Sequence, residues 1–241
     1  TSYSYACKQA AQQLGRQLHD LNMIVCHLGS GASMACIKGG KCIDTTMGMT
    51  PLEGLVMSTR SGDIDAGVIL HLAQEEGMDL SQFSDLLNKK SGLKGMCGNA
   101  DMRSIALAIE SGDENAMIAR AVFIRRVRKY LGSYMVQLGG KLDALVFTGG
   151  IGENDVYVRR EICAGLANFG IELDEDRNNV AASSAKTNGS ALVSSSFSRV
   201  QVMVVLANEE GEIALQSVVQ AGLLADEHFS TGMQVQKGAV A

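Results

Sequence analysis

A run of core-type residues, Leu142 to Phe147, leads directly into Thr148-Gly149-Gly150-Ile151-Gly152-Glu153-Asn154, and a helix is expected from about Asp155. This strand, glycine turn and helix constrain the fold more than any other segment. Glycine permits a tight turn and a close approach of backbone to ligand, and the first N–H groups of a helix lack partners within it. Such a junction suits a phosphate; a plain tight turn is the competing reading. No Gly-Lys-Ser/Thr follows, so the segment is not a Walker A loop, and its glycine spacing fails the strict dinucleotide fingerprint.

The remaining pattern supplies a sheet for that junction. Residues 5 to 18 have helical spacing. Met23 to His27, Ala32 to Ile37 and Lys41 to Thr45 read as three strands of a meander, turning at Gly29-Ser30-Gly31 and Gly39-Gly40. Thr45 to Asp65 is a long polar loop, of a length usually kept for function. Helices are expected near 65–76, closed by Gly77, and near 81–89, with Asp65 and Ser81 as caps. Ser91 to Asn99 reads as a glycine-rich turn. A short helix follows Asp101 and ends near Gly112, and the longest helix runs from Asp113 to Leu138. Phe169 to Leu173 is expected to be extended and Asp174 to Ser190 to be polar surface. Val200 to Leu206 is a further buried strand, followed by Asn208-Glu209-Glu210 and a helix to about Ala221. Hairpins combined with strand–helix units define an α/β class. The expected division is a leading helix in 1–20, a nucleotide-binding domain with a helical insert in 21–225, and a tail in 226–241.

Composition narrows the partners. The 241 residues carry a formal charge of -5, and 27 glycines against one proline favour tight turns over a disordered linker. Nothing here calls for nucleic acid. The one dense basic run, Arg120, Arg125, Arg126, Arg128 and Lys129, reads as the solvated face of a helix. The six cysteines form no C-x-x-C pair and suit buried thiols in a reducing compartment. No apolar stretch is long enough for a membrane-spanning helix.

Several side chains carry candidate chemistry. His27, just before the Gly29-Ser30-Gly31 turn, is either a structural hydrogen-bonding group or a phosphate donor. Arg60 lies among small residues in Ser58-Thr59-Arg60-Ser61-Gly62-Asp63. Its guanidinium suits a carboxylate or a transferring phosphoryl group, or a salt bridge to Asp63 or Asp65. Asp101 and Arg103 either hold each other or position a ribose or base. Glu209, at a strand end, is either a helix N-terminal charge or a carboxylate for Mg²⁺. Phosphoryl transfer unites these pieces, since it needs backbone donors, a cation, a metal carboxylate and an in-line acceptor.

Taken together, His27-Leu28-Gly29-Ser30-Gly31-Ala32-Ser33, Asp44 to Leu55, Thr59-Arg60-Ser61-Gly62-Asp63-Ile64-Asp65, Ser91-Gly92-Leu93, Asp101-Met102-Arg103, Phe147 to Asn154 and Asn208-Glu209-Glu210 resemble the acetate and propionate kinase family. The order of the motifs is the family's and spans nearly the whole chain. The resemblance implies the actin, sugar kinase and Hsp70 fold (ribonuclease H-like), here as the C-terminal half of a two-domain kinase. It implies reversible transfer of the ATP γ-phosphoryl group to acetate, or to propionate or butyrate, giving ADP and an acyl phosphate. Arg60 is similar to the family's catalytic arginine and Glu209 to its Mg²⁺ glutamate. His27, Gly29, Ser30 and Gly31 match the phosphate loop; Gly149, Gly150, Ile151, Gly152, Glu153 and Asn154 match the nucleotide-side turn; Asp101 and Arg103 match the adenosine side. A cytoplasmic homodimer, paired through this domain, belongs to the same expectation, with organellar targeting left open. Two departures stand out: Ser30 replaces the family's usual asparagine, and the loop from Lys94 to Ala100 differs from the common form. Thr1-Ser2-Tyr3 resembles the end of a His-Gly-Thr-Ser-His motif. The resemblance therefore places an active-site histidine and a first domain ahead of Thr1, and a chain of these 241 residues alone is expected not to complete the reaction.

Overall fold

The structure is a computed structural model that describes residues 1–222; the tail expected at 226–241 lies outside them. The strands are β1 (Met23–Leu28), β2 (Ala32–Lys38), β3 (Lys41–Thr45), β4 (Ala144–Thr148), β5 (Ser190–Leu192) and β6 (Gln201–Val205). They form one sheet in the order β3-β2-β1-β4-β6-β5. The β1–β2 and β2–β3 pairs are antiparallel, while β1–β4 and β4–β6 are parallel, with Phe147 registered between Cys26 and Val204. The central strands are covered on both faces, which explains their nearly continuous apolar sequences.

Side-chain alternation builds two cores. Ile24, Cys26, Leu28, Leu145, Phe147, Val202 and Val204 join the large core, where α6 (Glu114–Gln137) contributes Phe123, Ile124, Val127 and Leu131 at helical spacing. The opposite set, Met23, Val25, Ala144, Val146, Met203 and Val205, packs on Ala6, Cys7, Ala10 and Ala11 of α1 (Ser2–Leu14).

Several boundaries differ from the sequence expectation. Helix α1 starts at Ser2 and stops at Leu14 because Gly15 adopts φ 61°, so Leu18–Asp20 is a separate 3-10 turn. Asp65 caps α2 (Ala66–Glu75), as the sequence implies. The cap of α3 (Leu80–Lys89) is Asp79, not Ser81, because Asp79 and Gln82 satisfy one another's backbone N–H groups reciprocally. The supposed turn at Ser91–Asn99 contains α4 (Gly92–Cys97), which precedes α5 (Met102–Glu110). After α7 (Gly149–Asn154) and α8 (Val156–Cys163), a 3-10 turn at Ala167–Phe169 and Gly170 at φ 80° take the first two residues of the extended piece expected at Phe169–Leu173, whose last residue, Leu173, bridges Ser194. The polar stretch from Asp174 is α9 (Glu175–Asn188), whose Asn178, Ala181 and Ala185 are buried, and it ends in β5. A polar helix with only a narrow small-residue stripe has little apolar period to read. Helix α10 (Glu209–Gln220) closes the described chain.

The basic run on α6 is not merely a solvated face. Arg126 pairs with Asp63 at 3.0 Å, Arg128 donates to the carbonyls of Glu161, Ile162 and Ala164, and Arg120 lies 3.9 Å from the Tyr157 ring centroid. All six cysteines are free, and burial pushes the Cys7 and Cys163 thiols up to about 12. Cys42 is exposed and Cys97 half-buried, unlike the other four.

Candidate functional site

Parallel strands β1, β4 and β6 end on one edge of the sheet, at Leu28, Thr148 and Val205. Ligands of α/β folds gather at that edge. Three connections meet there, and the long loop between β3 and α2 comes to them.

In the β1–β2 turn, the Gly29 N–H donates to the Gly31 carbonyl at 3.1 Å. A methyl group on Gly29 would stand 3.3 Å from the Gly31 carbonyl oxygen and 3.9 Å from the Gly150 nitrogen, so this turn lies beside the one after β4. A methyl on Gly31 would stand 3.5 Å from Arg60 Nη1. Ser30 accepts from the Ser58 N–H at 3.1 Å through its carbonyl. His27, registered between Ser33 and Thr148, has a buried Nδ1 with no hydrogen-bond partner among the described residues. An unmet buried polar atom is costly, and His27 itself stands two residues before Gly29 and beside Thr148 in register.

Residues 57–60 are laced to the start of α4. Leu93, Lys94 and Ser91 donate their N–H groups to the carbonyls of Met57, Ser58 and Thr59, and the Ser58 hydroxyl donates to the Ala100 carbonyl at 2.6 Å. The lacing depends on Gly92, whose φ is 62° and where a Cβ would meet the Met57 carbonyl oxygen at 2.2 Å. The base of the loop is fixed by Asp63, which accepts from the Gly54 N–H and the Tyr130 hydroxyl, both at 2.8 Å, and pairs with Arg126. Asp65 is occupied in capping α2. Both acids suggested as Arg60 partners are therefore committed elsewhere. Arg60 has no ion pair among the described residues and only long contacts to the Pro51 carbonyl (3.4 Å) and Met57 Sδ (3.8 Å).

The turn after β4 becomes helix at once. Gly149 has φ 79°, and a Cβ there would stand 2.8 Å from the Leu28 carbonyl oxygen. Nothing lies within 4 Å of a Cβ on Gly150. Glu153 folds back, so that its Oε1 accepts from the N–H groups of Gly149 and Ala207, each at 2.9 Å. Asn154 Nδ2 donates to the Gly150 carbonyl at 2.9 Å. Arg159, 1% exposed, donates to the carbonyls of Gly152 and Glu153 and to Asn178 Oδ1 and its carbonyl on α9. Burial lowers its pKa to about 10, which leaves it charged at neutral pH. No sequence signal marks Arg159, Arg126 or Tyr130 for these tasks; Arg126 and Tyr130 depend on Asp63, far back along the chain, and Arg159 on a junction that folding brings to it and on Asn178 of α9.

On the α5 side, Asp101 caps the helix through the Arg103 N–H and also holds the Arg103 guanidinium at 2.8 Å. Those side-chain bonds keep the Asp101 carboxyl below its ordinary value. Arg103 remains exposed, so the two residues do hold each other while the fork faces solvent. The Ser58–Ala100 bond brings their loop to the Arg60 segment.

Glu209 opens α10 behind its cap Asn208, which accepts from the Gly211 N–H. The Ser2 hydroxyl donates to the Glu209 carboxylate. One turn on, buried Glu212 accepts from Ser4, Lys8 and Gln216, tying α10 to α1. Burial alone would raise the Glu212 pKa, but these donors hold it below the usual value. Among the described residues no cluster of three metal-ligating side chains occurs. One exposed carboxylate still fits Mg²⁺ shared with a nucleotide, because that ion keeps waters and takes one or two carboxylates plus phosphate oxygens. Two cavities lie elsewhere, beside Arg160, Cys163 and Glu175 and along Ser81, Asp85 and Lys89; within them Arg160 pairs with Glu175, and Asp85 with Lys89 and Lys90.

This sheet, with glycine turns at the ends of its parallel strands, defines a domain of the actin, Hsp70 and sugar kinase fold. The Acetokinase family profile matches residues 1–215. An acetate kinase from Nitratidesulfovibrio vulgaris (Hildenborough) is 51% identical over 215 residues, 89% of this chain and 52% of that protein. The crystal structure of Porphyromonas gingivalis acetate kinase superposes with a TM-score of 0.84 at 39% identity, over 90% of this chain and 53% of that one. A propionate kinase from Francisella tularensis superposes with a TM-score of 0.80 at 42% identity, over 88% and 52%. The chain belongs to the Acetokinase family, and it spans about half the length of the curated relatives it matches.

Proposed function

We propose that this chain forms the nucleotide-binding half of a short-chain carboxylate kinase, with acetate as the first acceptor to test and propionate or butyrate as alternatives. The observation that carries this reading is the meeting of four segments at one sheet edge: Gly29-Ser30-Gly31, the Arg60 loop, the α7 start and, through Glu153, the turn before Glu209. The glycine turns leave room and backbone N–H groups for phosphates. Arg60, uncommitted to any acid, suits the charge shared by the phosphoryl oxygens as transfer proceeds. In that reaction a carboxylate oxygen bonds to the γ-phosphorus while the bridge to the β-phosphate breaks, and ADP leaves with the electron pair. The acceptor is already ionised, so no general base is required. Asp101 and Arg103 are assigned to the adenosine side, and His27, just before the Gly29-Ser30-Gly31 turn, to the phosphates. Glu209 would hold Mg²⁺, which when bound neutralises phosphate charge.

A homodimer belongs to the same reading; it is supported by α2, which buries no residue and leaves Val68 and Leu70 exposed. Light scattering after gel filtration reads it directly.

The deciding experiment has two arms. Calorimetry on this chain should show ADP and ATP binding that strengthens with Mg²⁺. The polypeptide that carries this chain should form ATP from ADP and an acyl phosphate, and Arg60→Ala should cut that turnover about 10²–10³-fold. Nucleotide binding with no acyl-phosphate-dependent ATP formation would leave a binding module in place of a kinase.

A further inference from the structure

We propose that Glu153 is a positioning residue: a carboxylate strut that fixes the turn carrying Glu209 to the nucleotide turn, so that divalent-cation binding depends on it. The proposal rests on the functional reading above for the role of Glu209, and on the local geometry for everything else.

Strands β4 and β6 are registered to each other up to Phe147↔Val204; one residue further Thr148 pairs only with His27 of β1, and Val205 only with Ser190 of β5. Beyond that point no strand pairing holds the two ends together. A single oxygen does so instead, since Glu153 Oε1 accepts from Gly149 on the β4 side and Ala207 on the β6 side, each at 2.9 Å. Bonds from backbone N–H groups to an ionised acceptor are among the stronger ones. The strut is anchored at its base. Arg159 donates to the carbonyls of Gly152 and Glu153, both at 2.9 Å, and Arg159 is itself locked to Asn178 on α9. The main chain of Glu153 is therefore tied to the helical layer while its carboxylate spans two strand ends. Ala207 precedes the Asn208 cap, and Glu209 is the first residue of α10. Movement at Ala207 is passed directly to Glu209.

This assignment differs from direct contact between Glu153 and nucleotide. Its carboxylate takes up the Gly149 N–H and leaves the open approach to Gly150, where a Cβ would meet nothing within 4 Å.

The test compares wild type with Glu153→Ala, Glu153→Gln and Glu153→Asp. Calorimetry measures ADP affinity with Mg²⁺ and with chelator, and amide hydrogen exchange follows Gly149 and Ala207. The gain in affinity from Mg²⁺ should fall at least about tenfold in Glu153→Ala, the scale seen when the support of a metal ligand is removed. Glu153→Asp keeps the charge but not the reach and should behave alike. Glu153→Gln keeps an oxygen acceptor and should retain the gain. In the alanine and aspartate variants the Ala207 amide should lose protection. An unchanged Mg²⁺ gain in Glu153→Ala overturns the strut, as does a Glu153→Gln loss equal to that of alanine, or Ala207 protection that survives removal of the carboxylate. If wild type binds no nucleotide in either condition, the functional reading fails instead, and exchange at Ala207 still decides whether the strut exists.

Discussion

The turns after β1 and β4 carry similar glycine-rich sequences and adjoin one another, yet they are built on different physics. Gly29 and Gly31 have no positive φ, and their missing side chains leave space beside Gly150 and Arg60. Gly149 is demanded by the backbone itself, with φ 79° and the Leu28 carbonyl oxygen 2.8 Å from a would-be Cβ. The first turn is held by backbone bonds to its own residues and to Ser58, whereas the second is braced by the side chains of Glu153 and Arg159. A glycine in a motif can thus serve the fold or the ligand, and conformation separates the two.

The largest way to test that difference is Gly149→Ala. Left-handed backbone and a carbonyl clash should together cost about 2–4 kcal/mol in urea unfolding. Arg159→Met comes next. It leaves the Gly152 and Glu153 carbonyls and Asn178 short of donors and should destabilise by about 2–3 kcal/mol, with no comparable effect from Ser30→Ala, since Ser30 uses its carbonyl.

A smaller effect belongs to the α10 anchor beyond the braced turn. The Glu212 pKa is depressed in the folded chain, below its ordinary 4.5. The unfolded chain therefore binds more protons near that pH. The contribution is complete above about 4.5 and is lost as pH falls through the lower folded value. Glu212→Gln should flatten the fall in unfolding free energy between about pH 5 and 3. The smallest stability change is expected at Gly31→Ala, within about 0.5 kcal/mol, because its methyl would make ordinary contact. The same change should still weaken nucleotide binding several-fold by filling the space beside Arg60 that a phosphate would use, and equal affinity would show that the first turn does not need that space.

The central strands were legible because they are covered on both faces, so Met23–Leu28 and Ala144–Thr148 announce themselves as continuous apolar runs. Helix α6 was legible from its spacing, and the two glycine turns from composition alone. Helix α9 and strand β5 were not: the helix buries only small or polar residues and the strand has three. The Arg120–Lys129 run was misleading, because charge pattern does not distinguish a solvated arginine from Arg126 on Asp63 or Arg128 on three carbonyls.

Sequence by itself determined the five longer strands, the glycine turns and the residue types able to meet phosphate, since these follow from local period and backbone freedom. Only the tertiary structure decided which of those residues remain uncommitted. Arg60 is uncommitted because Asp63 is claimed by Arg126 and Tyr130 and Asp65 by its own helix, while Glu153 is claimed by two strand ends. Hydrogen-bond partners separated by tens of residues are set by the packing of the sheet, and no local pattern encodes them.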